Sequence, residues 1–419
     1  VKRFVYFILI ISMIMTSTAF FSNAEDFDYR SIASENEWKL LNMINALRQK
    51  NGKEPLSMAV SLQDACDIRS GELLDSLSHY RPGNKKWFTV LEEKKIEHDS
   101  ESIEIIAANF DDPETFAASL FSSPAECKKL LSDISHIGIG YSTAEGKENS
   151  SSYCIIGIRC SEYTSLTACN NENIHLNYGD AVDNINVDLK CGCIHGFSYL
   201  NVSSAMIKGY DPQKNGTNAL EIVYSGNNVP FNVIVDYNDS PMGTWYYDAI
   251  LYCTDKGYFT GVGKGNFNTN GNMTREMFVT VLGRFAGIDT SLYEGMISFN
   301  DVKTGEWYSP YVEWAAKHSI ARGNGKGSFN GKKAITRQEI CVMLCNYIEG
   351  FDINVPQKNT ASVFDDNSLI ADWANYEVYF CQTRGIMSGN DKNQFMPQNT
   401  ATRAQVAVVF KNFDDCINA

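Results

Sequence analysis

The chain has 419 residues, enough for two to four domains at roughly 100–200 residues each. Hydrophobic residues make up 44% and charged residues 21%, a composition that excludes long disorder and a fibrous chain. The net charge of −14 excludes a general nucleic-acid binder and simple adhesion to anionic lipid, so an anionic partner must be met by a few local cations.

Lys2 and Arg3 precede an apolar stretch from Phe4 to Phe21, followed by Ser22-Asn23-Ala24 and the acidic Glu25 and Asp26. This is the pattern of a secretory signal over residues 1–24. Its removal takes away two positive charges and leaves no transmembrane segment; an uncleaved anchor is the alternative. Twelve cysteines follow, none in a CxxC pair. Cys191-Gly192-Cys193 with His195 is a dense cluster without a fourth ligand nearby, so packing or a disulfide competes with zinc there. Cys154 and Cys160 are near enough in sequence to bridge.

Residues 35–160 read as a first domain. Leu40, Leu41, Ile44 and Leu47 share a helical face within Glu37–Gln49 and Asn51-Gly52 ends it; further helices are expected over Leu62–Leu77 and Glu114–Phe121. Strand-like runs cover Ile137–Tyr141 and Tyr153–Ile158. The run Asn45-Ala46-Leu47-Arg48, then Pro55-Leu56, Ala65, Arg69 and Glu72-Leu73, then Ser78-His79-Tyr80-Arg81-Pro82, and His136 to Tyr141 resemble a bacterial CAP domain, of the cysteine-rich secretory and pathogenesis-related superfamily. The resemblance implies an α-β-α sandwich with a His/Glu cleft. His79 matches the first cleft histidine and Glu104 the cleft glutamate, with Ile103 and Ile105 replacing its usual neighbours. Glu126 stands where a second cleft histidine is usual, and His136 is the remaining candidate. The cleft leaves room for a divalent cation or acid–base work, but no resident cofactor is implied. Activity is not general in the family, so ligand binding is favoured over catalysis, and the ligand is unidentified.

Over 172–237, Ala219–Tyr224 and the alternating Phe231, Val233, Val235 and Tyr237 flank Ser225–Asn228 and predict a hairpin. With Leu176–Asp180, Gly209-Tyr210-Asp211 and Asn215-Gly216-Thr217, the segment resembles a bacterial immunoglobulin-like domain, which implies a β-sandwich spacer.

The last 180 or so residues contain a threefold repeat. Trp245, Trp307 and Trp373 each stand 16 residues before Gly261, Gly323 and Gly389; Phe267, Phe329 and Phe395 follow 6 later, and Thr274-Arg275, Thr336-Arg337 and Thr402-Arg403 7 after those. An aromatic and acidic group containing Asp239, Asp301 or Asp366 precedes each tryptophan. Each threonine suits a helix N-cap, with Glu339 and Gln405 completing capping boxes. After it, the slots Phe278/Ile340/Val406, Val281/Met343/Val409, Leu282/Leu344/Phe410 and Phe285/Tyr347/Phe413 lie on one helical face. Cys253, Ala315 and Cys381 share a further slot.

The order Phe299-Asn300-Asp301-Val302, Trp307-Tyr308, Gly323 to Phe329 and Thr336-Arg337-Gln338-Glu339 resembles the S-layer homology module, giving modules over 238–294, 295–355 and 362–417. The resemblance implies a pseudo-threefold, helix-rich bundle with glycan grooves between modules, anchored to secondary cell-wall polysaccharide, often pyruvylated. In each groove Arg275, Arg337 or Arg403, at a helix start, would grip a carboxylate, a Trp would face a sugar ring and an Asp would accept from hydroxyls. The alternative is Arg–Asp pairing within a module and a core Trp. On the gripping reading, replacing all three arginines with alanine spares the fold. The expected protein is multidomain, secreted and located at a bacterial cell wall or S-layer.

Overall fold

The computed structural model describes residues 28–418 apart from 161, 172, 173 and 195, so the secretory-signal reading and His195 lie outside the described residues. The chain divides into two units: one holds residues up to 169 with 187–202, the other 170–186 with everything from 203 onward.

The first unit is built on a seven-stranded sheet. Its elements are α1 (Glu35–Lys50), β1 (Ser57–Ala59), α2 (Val60–Leu73), β2 (Tyr80–Arg81), β3 (Lys85–Lys86), α3 (Thr89–Glu93), β4 (Ile103–Ala108), α4 (Pro113–Ser122), α5 (Pro124–Leu130), β5 (His136–Thr143), β6 (Ser151–Ile158) and β7 (Ser165–Cys169). After β8 (His175–Asn177), which belongs to the other unit, the chain returns with β9 (Asp188–Cys193) and β10 (Gly196–Asn201). The sheet order is β4-β6-β5-β1-β10-β9-β7.

Alternation along β6 makes three layers. Tyr153 and Ile155 join a core with Leu40, Leu41 and Ile44 of α1 and Phe116 and Leu120 of α4. Cys154, Ile156 and Ile158 face the other way, into a core with Leu62 and Cys66 of α2 and Val90 and Leu91 of α3. Successive strand residues point to opposite faces, so an interior sheet must be apolar on both. α1 starts on a capping box in which Ser34 and Glu37 bond reciprocally. α2 lies so close to β5 that a Cβ on Gly140 would stand 2.3 Å from the Cys66 carbonyl oxygen.

The strands of 172–237 do not form one sandwich. β9 and β10 extend the first sheet, with Met58 opposite Tyr199. β8, β11 (Ile207–Lys208), β12 (Gly216–Tyr224) and β13 (Asn227–Asp236) form a separate four-stranded sheet, in the order β11-β12-β13-β8. The immunoglobulin-like boundary is thereby corrected: β9 finds hydrogen-bond partners on β7 and β10 rather than on the hairpin. The β12–β13 hairpin forms as expected, with positive φ at both Ser225 and Gly226, the twist that suits a two-residue connection.

The rest of the second unit is six helices: α6 (Tyr247–Asp255), α7 (Arg275–Phe285), α8 (Ser309–Lys317), α9 (Arg337–Gly350), α10 (Asn375–Arg384) and α11 (Arg403–Ile417). Thr274, Thr336 and Thr402 cap α7, α9 and α11, and the predicted slots are buried except Phe285, which packs against the core while partly exposed. The first helix of each repeat packs on the second helix of the one before: α8 on α7, α10 on α9, and α6 on α11. Three backbone bonds run in the same cyclic order. Ile335 N donates to Met273 O at 2.8 Å, Ala401 N to Ile335 O at 3.1 Å and Met273 N to Ala401 O at 2.9 Å.

Candidate functional site

Each Thr-Arg arginine reaches into the next repeat. Arg403 donates from Nε to Phe267 O and from Nη2 to Thr260 O, both at 2.8 Å. Arg337 bonds Phe395 O at 2.8 Å and Ser388 O at 2.7 Å in the same way. Arg275 bonds Phe329 O at 3.3 Å and Arg322 O at 3.0 Å, and also pairs with Glu339 at 3.3 Å. Each guanidinium stacks over the phenylalanine whose carbonyl it binds, 4.7–5.1 Å from the ring centroid. The two carbonyls bracket the glycine-bounded loop, so the arginine clamps one repeat to the next.

Two of these cations are poorly compensated. Burial pulls all three guanidinium groups below their ordinary values. Among the described residues neither Arg337 nor Arg403 has a carboxylate within 4.0 Å; backbone carbonyls and a phenylalanine face take that place. Such a site gains from an incoming anion, because desolvation of the cation has already occurred.

Two open grooves hold Arg275 and Arg337. One, of about 630 Å³, is lined by Arg275, by the loop from Arg322 to Asn330, by Glu339 and by Trp373. The other, of about 910 Å³, is lined by Arg337, by the loop from Ser388 to Met396, by Gln405 and by Trp245. Each takes its arginine, loop and tryptophan from three different repeats. Trp245, Trp307 and Trp373 are 66%, 52% and 56% exposed, so they are not core residues.

The aspartates do something else. Asp239 accepts from Phe267 N and Thr269 N, Asp301 from Phe329 N and Asn330 N, and Asp366 from Phe395 N and Met396 N, at 2.7–2.9 Å. Both carboxylate oxygens of each are taken by loop amides. Asp239, Asp301 and Asp366 thus hold the loops that the arginines clamp, with one amide on each carboxylate oxygen. The Arg–Asp pairing alternative fails.

In the first unit, His79 Nδ1 meets Glu104 Oε2 at 2.6 Å, and Arg69 Nε meets Glu104 Oε1 at 2.8 Å. Glu104 lies buried on β4, opposite Ile156. Arg69 continues to Glu72 at 2.6 Å and to Ser78 O at 2.9 Å, which positions the loop carrying His79. Although burial pulls Arg69 down, Glu104 and Glu72 together raise it. The Glu104 carboxylate is thus shared between the arginine and the imidazole, which orients the His79 ring on a side chain that is 53% exposed. Lys129 links the third candidate, donating to Glu104 O at 3.0 Å and pairing with Glu126 at 3.2 Å. His136 is fully buried at the start of β5, outside this network, which corrects its placement in the cleft.

Comparison with known families separates the two units. The S-layer homology domain model matches residues 236–276, 298–341 and 363–407, and the cysteine-rich secretory protein family model matches 41–158. The chain carries one CAP domain and three S-layer homology modules. Similar proteins include an amylopullulanase of Thermoanaerobacterium thermosulfurigenes, 30% identical over 39% of this chain and 9% of that one. A surface-layer 125 kDa protein of Lysinibacillus sphaericus is 31% identical over 36% and 12% respectively, and an S-layer protein of Bacillus thuringiensis subsp. finitimus 26% over 41% and 20%. The matched stretch thus spans a fifth or less of these relatives. A solved extracellular protein containing an SCP domain, from Bacillus anthracis str. Ames, is 21% identical with a TM-score of 0.26, over 30% of this chain and 40% of that one. With its modules and its S-layer relatives, this is a secreted protein of the bacterial cell wall or S-layer. No helix of the described residues is long and apolar enough to cross a membrane.

Proposed function

We propose that the three modules form a pseudo-threefold bundle that holds the protein non-covalently on an acidic cell-wall polysaccharide, and that the CAP domain serves ligand binding or adhesion there. The observation that carries the reading is the pairing, in one groove, of a desolvated arginine lacking a carboxylate partner with an exposed tryptophan from another module. The arginine supplies a charge-assisted grip on a sugar-borne carboxylate, such as a pyruvyl ketal, and the indole a flat apolar face for the adjoining ring. By the cyclic order, Arg403 pairs with Trp307 in a third groove. Trp245→Ala and Trp373→Ala test this without touching the clamps: the double variant should pellet with purified cell walls several-fold less than wild type, at an unchanged unfolding temperature. Undiminished pelleting would reject the groove assignment.

A second reading, a wall-anchored hydrolase or metal-dependent enzyme, draws on the His79–Glu104 pair. An imidazole oriented by a buried carboxylate can take part in proton transfer or ligate a cation. On that reading His79→Ala removes hydrolysis of peptide, ester or glycan substrates, and activity retained in the variant would rule out the cleft.

A further inference from the structure

His136, absent from the cleft, sits instead with two thiols. A ring nitrogen of His136, Cys160 Sγ and Cys193 Sγ lie within 4.8 Å of one another. The residues come from the first position of β5, from the segment just after β6, and from the last position of β9. In the sheet order, β1 and β10 stand between β5 and β9, so the cluster joins parts of the unit that no single ladder connects.

The surroundings fix the imidazole. Ser135 Oγ meets His136 Nδ1 at 2.9 Å and also accepts the Cys160 backbone N–H at 2.8 Å. The ring lies along Tyr163, centroids 5.6 Å apart and 29° between planes. One hydroxyl thus orients the histidine and the backbone of a cysteine together, as groups behind metal ligands do. A tetrahedral zinc-type cation with metal–sulfur bonds of about 2.3 Å places its sulfurs about 3.8 Å apart, inside the observed envelope. Two soft thiolates and an imidazole select such a cation over calcium or magnesium, which prefer oxygen.

We propose that His136, Cys160 and Cys193 form a binding site for a thiophilic divalent cation of the zinc type, separate from the His79–Glu104 cleft. Binding displaces the two thiol protons to solvent, so it strengthens as pH rises. By tying β5 and the segment after β6 to β9, the cation braces the three strands that extend the CAP sheet. The fourth coordination position is left to solvent.

The test uses the full chain, reduced and stripped of metal, then loaded with Zn²⁺ or Co²⁺ and dialysed. Wild type should retain one equivalent and show thiolate-to-cobalt charge-transfer absorption. Cys160→Ser, at a partly exposed position, should lose about half of that band and the rise in unfolding temperature that Zn²⁺ gives the wild type; Cys193→Ser should match it. Cys127→Ser, elsewhere in the unit, should behave as wild type. No retained metal, an undiminished band in Cys160→Ser, or a Cys160–Cys193 disulfide in mass mapping of the unreduced protein would overturn the proposal.

Discussion

Arg403→Ala is expected to loosen the closure of module 3 onto module 1. The variant loses two bonds of 2.8 Å to Phe267 O and Thr260 O, and the stacking of a cation 4.7 Å above Phe267. Hydrogen bonds to a charged donor contribute about 1.5–3 kcal/mol each, and the stacking roughly 0.5–1 kcal/mol. Water entering the vacated space replaces part of this, leaving a net loss of about 3 kcal/mol. For a unit of this size each kcal/mol moves the melting temperature by about 2–4 °C, so the transition should fall by about 6–12 °C. Differential scanning calorimetry of the full chain reads the shift. Arg403→Lys keeps the charge but not the planar fork, and should recover less than half of it. A transition within about 1 °C of wild type would refute the clamp, since a buried carbonyl and a part-buried one cannot lose such a donor without cost.

Three further outcomes follow from the same geometry. Glu339→Gln should tighten binding of acidic polysaccharide, because it removes the carboxylate 3.3 Å from Arg275 while preserving the cap, as Gln405 does in module 3; equilibrium binding at low salt, weaker in the variant, would contradict this. Burial alone would raise the Glu339 carboxyl, but its Thr336 bonds together with Arg275 and Lys333 hold it below the usual 4.5. Its share of stability is therefore present above that value and is lost as pH falls through the lower folded value. The stability gap between wild type and Glu339→Gln, followed by urea unfolding, should shrink between about pH 6 and about pH 3. Gly140→Ala should destabilise the first unit by about 1–3 kcal/mol, because its Cβ meets the α2 backbone rather than a movable side chain, and an unchanged midpoint would show that α2 can retreat.

Local signals in the chain were read well where local physics decides. The N-caps Thr336 and Thr402, the i, i+3, i+4, i+7 core face of α9 and α11, and the β12–β13 hairpin depend on residues a few positions apart. All three tryptophans are exposed rather than packed in the core. What failed was long-range. Strand patterning carries no address, so nothing in Leu189 or Tyr199 told that β9 and β10 complete the first sheet rather than a sandwich of their own. A Thr-Arg pair at a helix start reads as an anion site whether or not carbonyls 136 and 143 positions away already occupy it. All three arginines bond backbone carbonyls of the next repeat, so replacing them is expected to cost stability as well as binding. The Asp residues looked ligand-facing because acidic loop residues usually are solvated, while their work of holding amides shows only in the folded loop. The His136, Cys160 and Cys193 cluster had no spacing signature, since β-sheet order rather than sequence proximity assembles it.

Charge recognition in the inter-module grooves is read by titration calorimetry of the full chain with purified wall polysaccharide, before and after chemical removal of the acidic substituents. Binding should be saturable, weaken with salt and fall at least tenfold once those acids are gone. Equal affinity for the neutralised polymer would rule out a carboxylate grip by the groove arginines.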